Sequence, residues 1–343
     1  MRLPGQRWKT WALGAAALLA SSAACTPGAT LAPFAGLRAD ASVRHGRSYL
    51  QAEDLDKALA EFENAVELHP KLAVAYSGLG WVYKLKGDYQ AAAKAFAEAV
   101  KINPADFDNA LALAQVYHQL AQFAAAVRAY LHACQIRPDD YQARLNLGVC
   151  YHQAGELEEA INCYTQASTI NPDDPAALTN LGAVYDAQGK YYEAIHAYNE
   201  SLERNPHQPM VLVNLATTLI KQERFRSGQK ALEQAIEMDP TSAVAYQRLG
   251  YCFFRQREYE EALSHYEYAA TLDPKMPEAH AGLGVVRMAM YLQNRDELEL
   301  RAKAIEHWHR ALELNPDQPK IRVLVDKYRL PNDNPDTILL STP

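Results

Sequence analysis

Seven prolines, Pro70, Pro104, Pro138, Pro172, Pro206, Pro240 and Pro274, follow one another at intervals of 34 residues, and an eighth, Pro316, comes after 42. A fixed period of this length confines a chain to stacked copies of one small unit, each burying its apolar face against the next. Counted back from the prolines, the copies are 39–72, 73–106, 107–140, 141–174, 175–208, 209–242, 243–276 and 277–318. Other places keep the same phase. The eighth is small: Gly46, Gly80, Ala114, Gly148, Gly182, Ala216, Gly250 and Gly284. So is the twentieth: Ala58, Ala92, Ala126, Ala160, Ala194, Gly228, Ala262 and Ala304. The twenty-fourth is large: Phe62, Phe96, Tyr130, Tyr164, Tyr198, Leu232, Tyr266 and Trp308.

Each copy holds two stretches with apolar residues at i, i+3, i+4 and i+7, joined by a short turn such as Lys86-Gly87-Asp88, which predicts a helical hairpin. Small side chains at places eight and twenty let the two backbones approach, and the large residue fills the gap beside them. The proline ends the second helix, because it lacks the N–H a helix needs and pushes the preceding residue out of the helical region. The pattern resembles the tetratricopeptide repeat over about 280 of the 343 residues. That resemblance implies an all-α fold, a right-handed superhelical solenoid of helix-turn-helix hairpins.

Two copies depart from the pattern. In the sixth, Ala216 and Gly228 reverse the usual Gly and Ala, which conserves volume if the two places touch and so predicts their contact. The eighth carries eight extra residues between its helices, around Tyr291 to Leu300. The spacing of Glu297–Arg301 and Glu299–Lys303 predicts a helical extension with i,i+4 charge pairs. Residues 319–330 are expected to form a capping helix with Ile321, Leu324 and Val325 inward, covering the apolar end of the stack. Residues 331–343, with three prolines and two asparagines, read as a disordered tail.

The N-terminus reads as an export signal over residues 1–24. Arg2, Arg7 and Lys9 precede an apolar run from Trp11 to Ala20, too short to cross a bilayer but of the length of a signal-peptide core. The stretch from Leu18 to Cys25 resembles a bacterial lipoprotein signal, with Ser22 where that family usually has Leu. The resemblance implies a lipid on Cys25, residues 25–38 as a tether, and, with Thr26 next, delivery to an outer membrane facing the periplasm. A plain signal cleaved after Ala24 is the alternative. Cys134, Cys150, Cys163 and Cys252 fall at apolar-facing helix places and in no zinc spacing. They read as small core residues, with Cys134 and Cys150 the one pair placed to meet.

Hydrophobic residues at 49% and charged ones at 22% suit an ordered soluble fold, and a net charge of −7 opposes nucleic-acid binding. No Gly-rich phosphate loop, nucleophile elbow or metalloprotease helix occurs, so neither enzyme nor cofactor is implied. His118 with His152, and His307 with His309, lack a metal-binding arrangement and read as isolated surface residues.

The first helices line the concave side of such a solenoid, and tetratricopeptide proteins commonly use places 2, 5, 6, 9, 12 and 13 there. At place six stand Asn146, Asn180 and Asn214. This column resembles the asparagine ladder of O-linked N-acetylglucosamine transferases, which implies side-chain amides gripping a peptide backbone through donor and acceptor together. Asn is also the commonest residue at this place in idealised repeats, which leaves a structural role open. Leu145, Val149, Thr179, Ala183, Val213 and Thr217 surround the column. Lys221, Gln247, Arg248, Tyr251 and Arg255 then form a basic, aromatic end suited to a carboxylate, or a solvated charged face. The residue set of chaperone-binding tetratricopeptide domains is not present in three consecutive repeats. The chain therefore resembles exported bacterial tetratricopeptide lipoproteins, such as pilotins and adaptors of peptidoglycan hydrolases. Two functions follow: a membrane-tethered scaffold holding a partner protein or extended peptide in the groove, or a structural subunit of an envelope or secretion assembly that uses its convex face or ends.

Overall fold

The structure, a computed structural model, describes residues 32–329. The signal, Cys25 and the tail from Pro331 lie outside those residues. Seventeen α-helices and no strand occur among the described residues. They form eight hairpins: α1 (Ala32–Gln51) with α2 (Leu55–Leu68), α3 (Ala73–Lys86) with α4 (Tyr89–Ile102), α5 (Phe107–Gln119) with α6 (Phe123–Ile136), and α7 (Tyr141–Ala154) with α8 (Leu157–Ile170). Next come α9 (Ala176–Ala187) with α10 (Tyr191–Arg204), α11 (Pro209–Lys221) with α12 (Phe225–Met238), α13 (Ala243–Gln256) with α14 (Tyr259–Leu272), and α15 (Pro277–Gln293) with α16 (Leu298–Leu314). A last helix, α17 (Pro319–Tyr328), packs on α16. Each helix touches its hairpin partner and the next hairpin, which makes a solenoid.

Backbone chemistry sets the hairpin ends. The residue that caps every second helix stands just before the periodic proline, from His69 to Asn315, in an extended conformation with φ between −144° and −128°. This is the restriction that proline places on its predecessor. Between the helices, the fifteenth place is left-handed in seven repeats. Gly87, Gly155 and Gly189 adopt it freely, whereas Glu53, Ala121, Glu223 and Arg257 hold φ of 54° to 66° against the strain on an L-residue.

The core explains the periodic sizes. Every residue at place twenty-four is at most 3% exposed. An ideal Cβ built on Gly80, Gly148 or Gly182 would stand 2.7 Å from the ring of Phe96, Tyr164 or Tyr198, and one on Gly284 would stand 2.4 Å from Trp308. The same rings press on the next repeat at place six, where a Cβ on Gly78 or Gly282 would lie 2.3 Å from Phe62 or Tyr266. In the sixth repeat Leu232 replaces the ring and leaves room for the methyl of Ala216. Gly228 does meet Ala216, whose carbonyl oxygen would lie 3.3 Å from a Cβ at Gly228. The compensation thus involves place twenty-four as well as places eight and twenty. Repeat three keeps both Ala114 and Tyr130, each buried, so a ring does not always demand glycine.

Three expectations are corrected. Helix α1 begins at Ala32 and takes in 32–38 of the segment read as tether; Pro33 falls in its first turn, where a missing N–H is harmless. In repeat eight, α15 and α16 each have 17 residues where most helices have 14, and a four-residue turn, Asn294 to Glu297, separates them. Glu299–Lys303 pairs at 2.6 Å, but Glu297 caps α16 and accepts from Asn294 Nδ2, while Arg301 donates to the Tyr328 carbonyl and ties α17 down. Nor is His307 an isolated surface residue, because its Nδ1 lies 3.3 Å from Nδ1 of His280. Ile321 and Val325 of α17 are buried and Leu324 partly so, against α16. Cys134, Cys150, Cys163 and Cys252 are buried free thiols.

Candidate functional site in the concave groove

The first helices bring Asn146, Asn180 and Asn214 to equivalent, half-buried positions on α7, α9 and α11. Their amides are not equally available. Asn146 Oδ1 accepts from Gln142 Nε2 at 3.0 Å, and the residue also faces the Tyr130 phenol. Burial drives the pKa of that phenol up, and Asn146 partly offsets the rise. The Asn180 side chain makes no hydrogen bond within the described residues. Around the column, Leu145 and Val213 are 8% and 4% exposed. They are packed between helices and contribute little to the lining expected of them. Thr179 is engaged with the buried Ser201 at 2.7 Å, and Thr217 donates to the Val213 carbonyl at 2.7 Å.

The basic end is largely neutralised from within. Lys221 Nζ lies 2.5 Å from Asp186 Oδ2 on the previous first helix, and Thr218 donates to the other oxygen at 2.9 Å. Arg255 donates to the Tyr251 hydroxyl at 2.8 Å, lies 3.3 Å from Glu223, and covers the Phe225 ring at 4.4 Å. Arg248 differs: its Nε is buried without a hydrogen-bond partner. Burial lowers its pKa, and nearby Asp186 pushes it back up. Residues 30 to 35 apart meet across neighbouring repeats, so Lys221 and Arg255 find carboxylates that helix periodicity alone does not reveal.

The clefts of the groove lie further toward the N-terminus. One, of about 430 Å³, is lined by Arg47, Val74, Ser77, Trp81, Leu111 and Gln115 among others. A second, of about 350 Å³, continues from Gln115 past Lys84, His118 and Gln119 to Tyr130 and Asn146. Trp81 is 37% exposed and held edge-on by Phe96, with ring centroids 5.5 Å apart. Val74, at place two of the same helix, is 38% exposed. These residues were missed in the sequence, although Trp81 and Lys84 occupy groove places nine and twelve. His118 borders the second cleft and packs edge-on to Phe123. His152 is half-buried, and burial lowers its pKa. Among the described residues no group of three metal-ligating side chains converges.

Comparisons with known proteins agree with this architecture. A tetratricopeptide-repeat protein of Parabacteroides merdae shares 17% identity and covers 75% of this chain and 98% of its own, with a TM-score of 0.57. The Cut9–Hcn1 assembly of the APC/C matches at 17% identity and TM-score 0.55 over 80% of this chain, which spans 53% of that chain. The pilF protein of Pseudomonas aeruginosa matches at 23% identity and TM-score 0.50, over 60% of this chain and 94% of its own. At these identities the likeness is one of fold. No curated protein sequence matches the chain significantly. The family model for the C-terminal domain of cilia and flagella-associated protein 70, a tetratricopeptide-repeat model, matches residues 12–283. The chain belongs to that tetratricopeptide-repeat family.

Proposed function

We propose that this chain is an exported scaffold, anchored in a membrane through a lipid on Cys25, that holds an extended segment of a partner protein in its concave groove. The observation that carries the groove reading is the pair of clefts across repeats one to four, which share Gln115, with the part-exposed Trp81, edge-on to Phe96, lining the first. Exposed aromatic anchors in preformed concavities supply most of the energy of such contacts. Asn146 closes one end of the clefts, and Asn180 and Asn214 continue the polar track along α9 and α11. The export and anchor reading rests on the basic residues, the apolar run and Cys25 of the N-terminus. No described helix is long and apolar enough to cross a membrane.

Replacing Asn146, Asn180 and Asn214 together by Ala tests the track. Loss of a captured partner at unchanged thermal stability supports it, whereas intact capture moves recognition to the clefts or to the ends of the stack. Mass spectrometry of the mature N-terminus tests the anchor, and an unmodified Cys25 removes it.

A further inference from the structure

The two clefts meet at Lys84, Trp81 and Gln115. Lys84 Nζ stands 4.7 Å from the centre of the Trp81 ring and donates to Gln115 Oε1 at 2.9 Å. It pairs with no carboxylate among the described residues. Lys221 and Arg255, by contrast, are each matched to an acid of the preceding repeat. Lys84 is thus a half-buried ammonium held by a neutral amide and an aromatic face. Burial lowers its pKa, with no opposing charge to restore it. Such a group gains most when an anion arrives, because desolvation has already been imposed.

The acids across the first cleft are otherwise engaged. Asp106 accepts from the Asn109 backbone N–H at 3.0 Å and caps α5. Asp108 lies 3.9 Å from Arg137, which covers the Phe107 ring at 4.1 Å. They leave Lys84 uncompensated, so a carboxylate that enters the junction finds an unmatched ammonium there.

We propose that this junction recognises an extended acidic segment of a partner protein, seating a carboxylate on Lys84 and an aromatic or large apolar side chain on Trp81. Lys84 Nζ and the Trp81 ring centre lie 4.7 Å apart, and in an extended chain residues two apart share a face about 7 Å from one another, so two such side chains can reach the ammonium and the indole together. The recognised pattern is therefore acid, any residue, then aromatic, or its reverse. This inference rests on the groove reading above and names the chemistry of its ligand.

The test is an array of random octapeptides probed with the full chain, then solution binding of a labelled Glu-x-Phe peptide and its Gln-x-Phe counterpart. The array should enrich acidic-x-aromatic peptides, and the Glu peptide should bind roughly tenfold tighter than the Gln peptide, less so at high salt. Lys84→Gln should erase that preference and Lys84→Arg retain it. Trp81→Ala should weaken both peptides by roughly tenfold or more, and Lys101→Gln, at an exposed lysine of α4 paired with Glu98, should change neither. Binding of no peptide of any composition overturns the groove reading and this one together. Peptide binding with no carboxylate preference, or a preference that survives Lys84→Gln, overturns this inference alone.

Discussion

Gly284→Ala isolates the contact that sets the eighth hairpin. A methyl group there would stand 2.4 Å from both Cδ1 and Nε1 of Trp308 and 2.8 Å from the Ala304 carbonyl oxygen. Ordinary contact begins at 3.4 Å, so the helices must part, or the indole move, by about 1 Å. Neither yields easily. Trp308 is 1% exposed, between α15 and α17, and the carbonyl belongs to the backbone of α16. Overpacking of this kind costs about 1–3 kcal/mol, and two close contacts at once place this site in the upper part of that range. Against it, Ala is preferred over Gly inside a helix by about 1 kcal/mol. The net expectation is a loss of about 1–2 kcal/mol, confined to the last hairpin and its cap. Trp308→Leu, which copies the combination of Ala216 with Leu232, should convert the same methyl from a penalty to a neutral or favourable change. That amounts to a coupling of about 1–3 kcal/mol between the two sites. Trp308 Nε1 is buried without a partner, so its removal leaves no new unsatisfied group. Repeat arrays need not unfold in one step, and hydrogen exchange of peptides from α15 to α17, at several urea concentrations, is the suitable assay. The reasoning fails if Gly284→Ala protects those amides as well as Gly does. It fails equally if the penalty persists in the Trp308→Leu background.

Ala121→Gly should stabilise the third hairpin by about 0.5–1 kcal/mol, because the left-handed strain at φ 54° is relieved and no side-chain contact is lost; a thermal melt below that of the parent contradicts this. His307 is held at a pKa of about 4, by burial first and then by Arg287, His280 and Lys303. Its folded value lies below the unfolded 6.5, so stability is full above pH 6.5 and falls as pH drops toward 4. After allowance for solvent reaching the ring, the loss is about 1–2 kcal/mol, and His307→Gln should flatten that part of a pH–stability curve. The four buried thiols should resist alkylation in the folded chain and react on unfolding, since burial pushes Cys150 and Cys252 up to about 12 and Cys163 to about 11. Modification of native protein at neutral pH at the rate of a free thiol would contradict their burial.

Helix number, order and ends could be read from spacing because each depends on nearest neighbours in the chain. A proline dictates the conformation of the residue before it, and an apolar stripe at 3.6-residue intervals dictates which face turns inward. The helices from Leu55 to Leu272 and the cap at Pro319–Tyr328 follow from such signals. The extension of α1 back to Ala32 was hidden by its weak stripe and interrupting Gly36.

The groove was legible as a set of places and not as a surface. Periodicity assigns Lys221 and Lys84 alike to the concave side. The direction of each long side chain depends on what the neighbouring repeat offers, some 30 residues away. Lys221 meets Asp186, whereas Lys84 meets Gln115 and Trp81. Charge and residue type along the chain thus sufficed for the architecture of a scaffold, because local conformational preferences and amphipathic spacing are enough to specify stacked hairpins. Which cation is left unmatched, and where the clefts open, depends on contacts between repeats. Those are set by side-chain packing across the stack, where a ring in place of a leucine, or an amide in place of a carboxylate, changes the outcome.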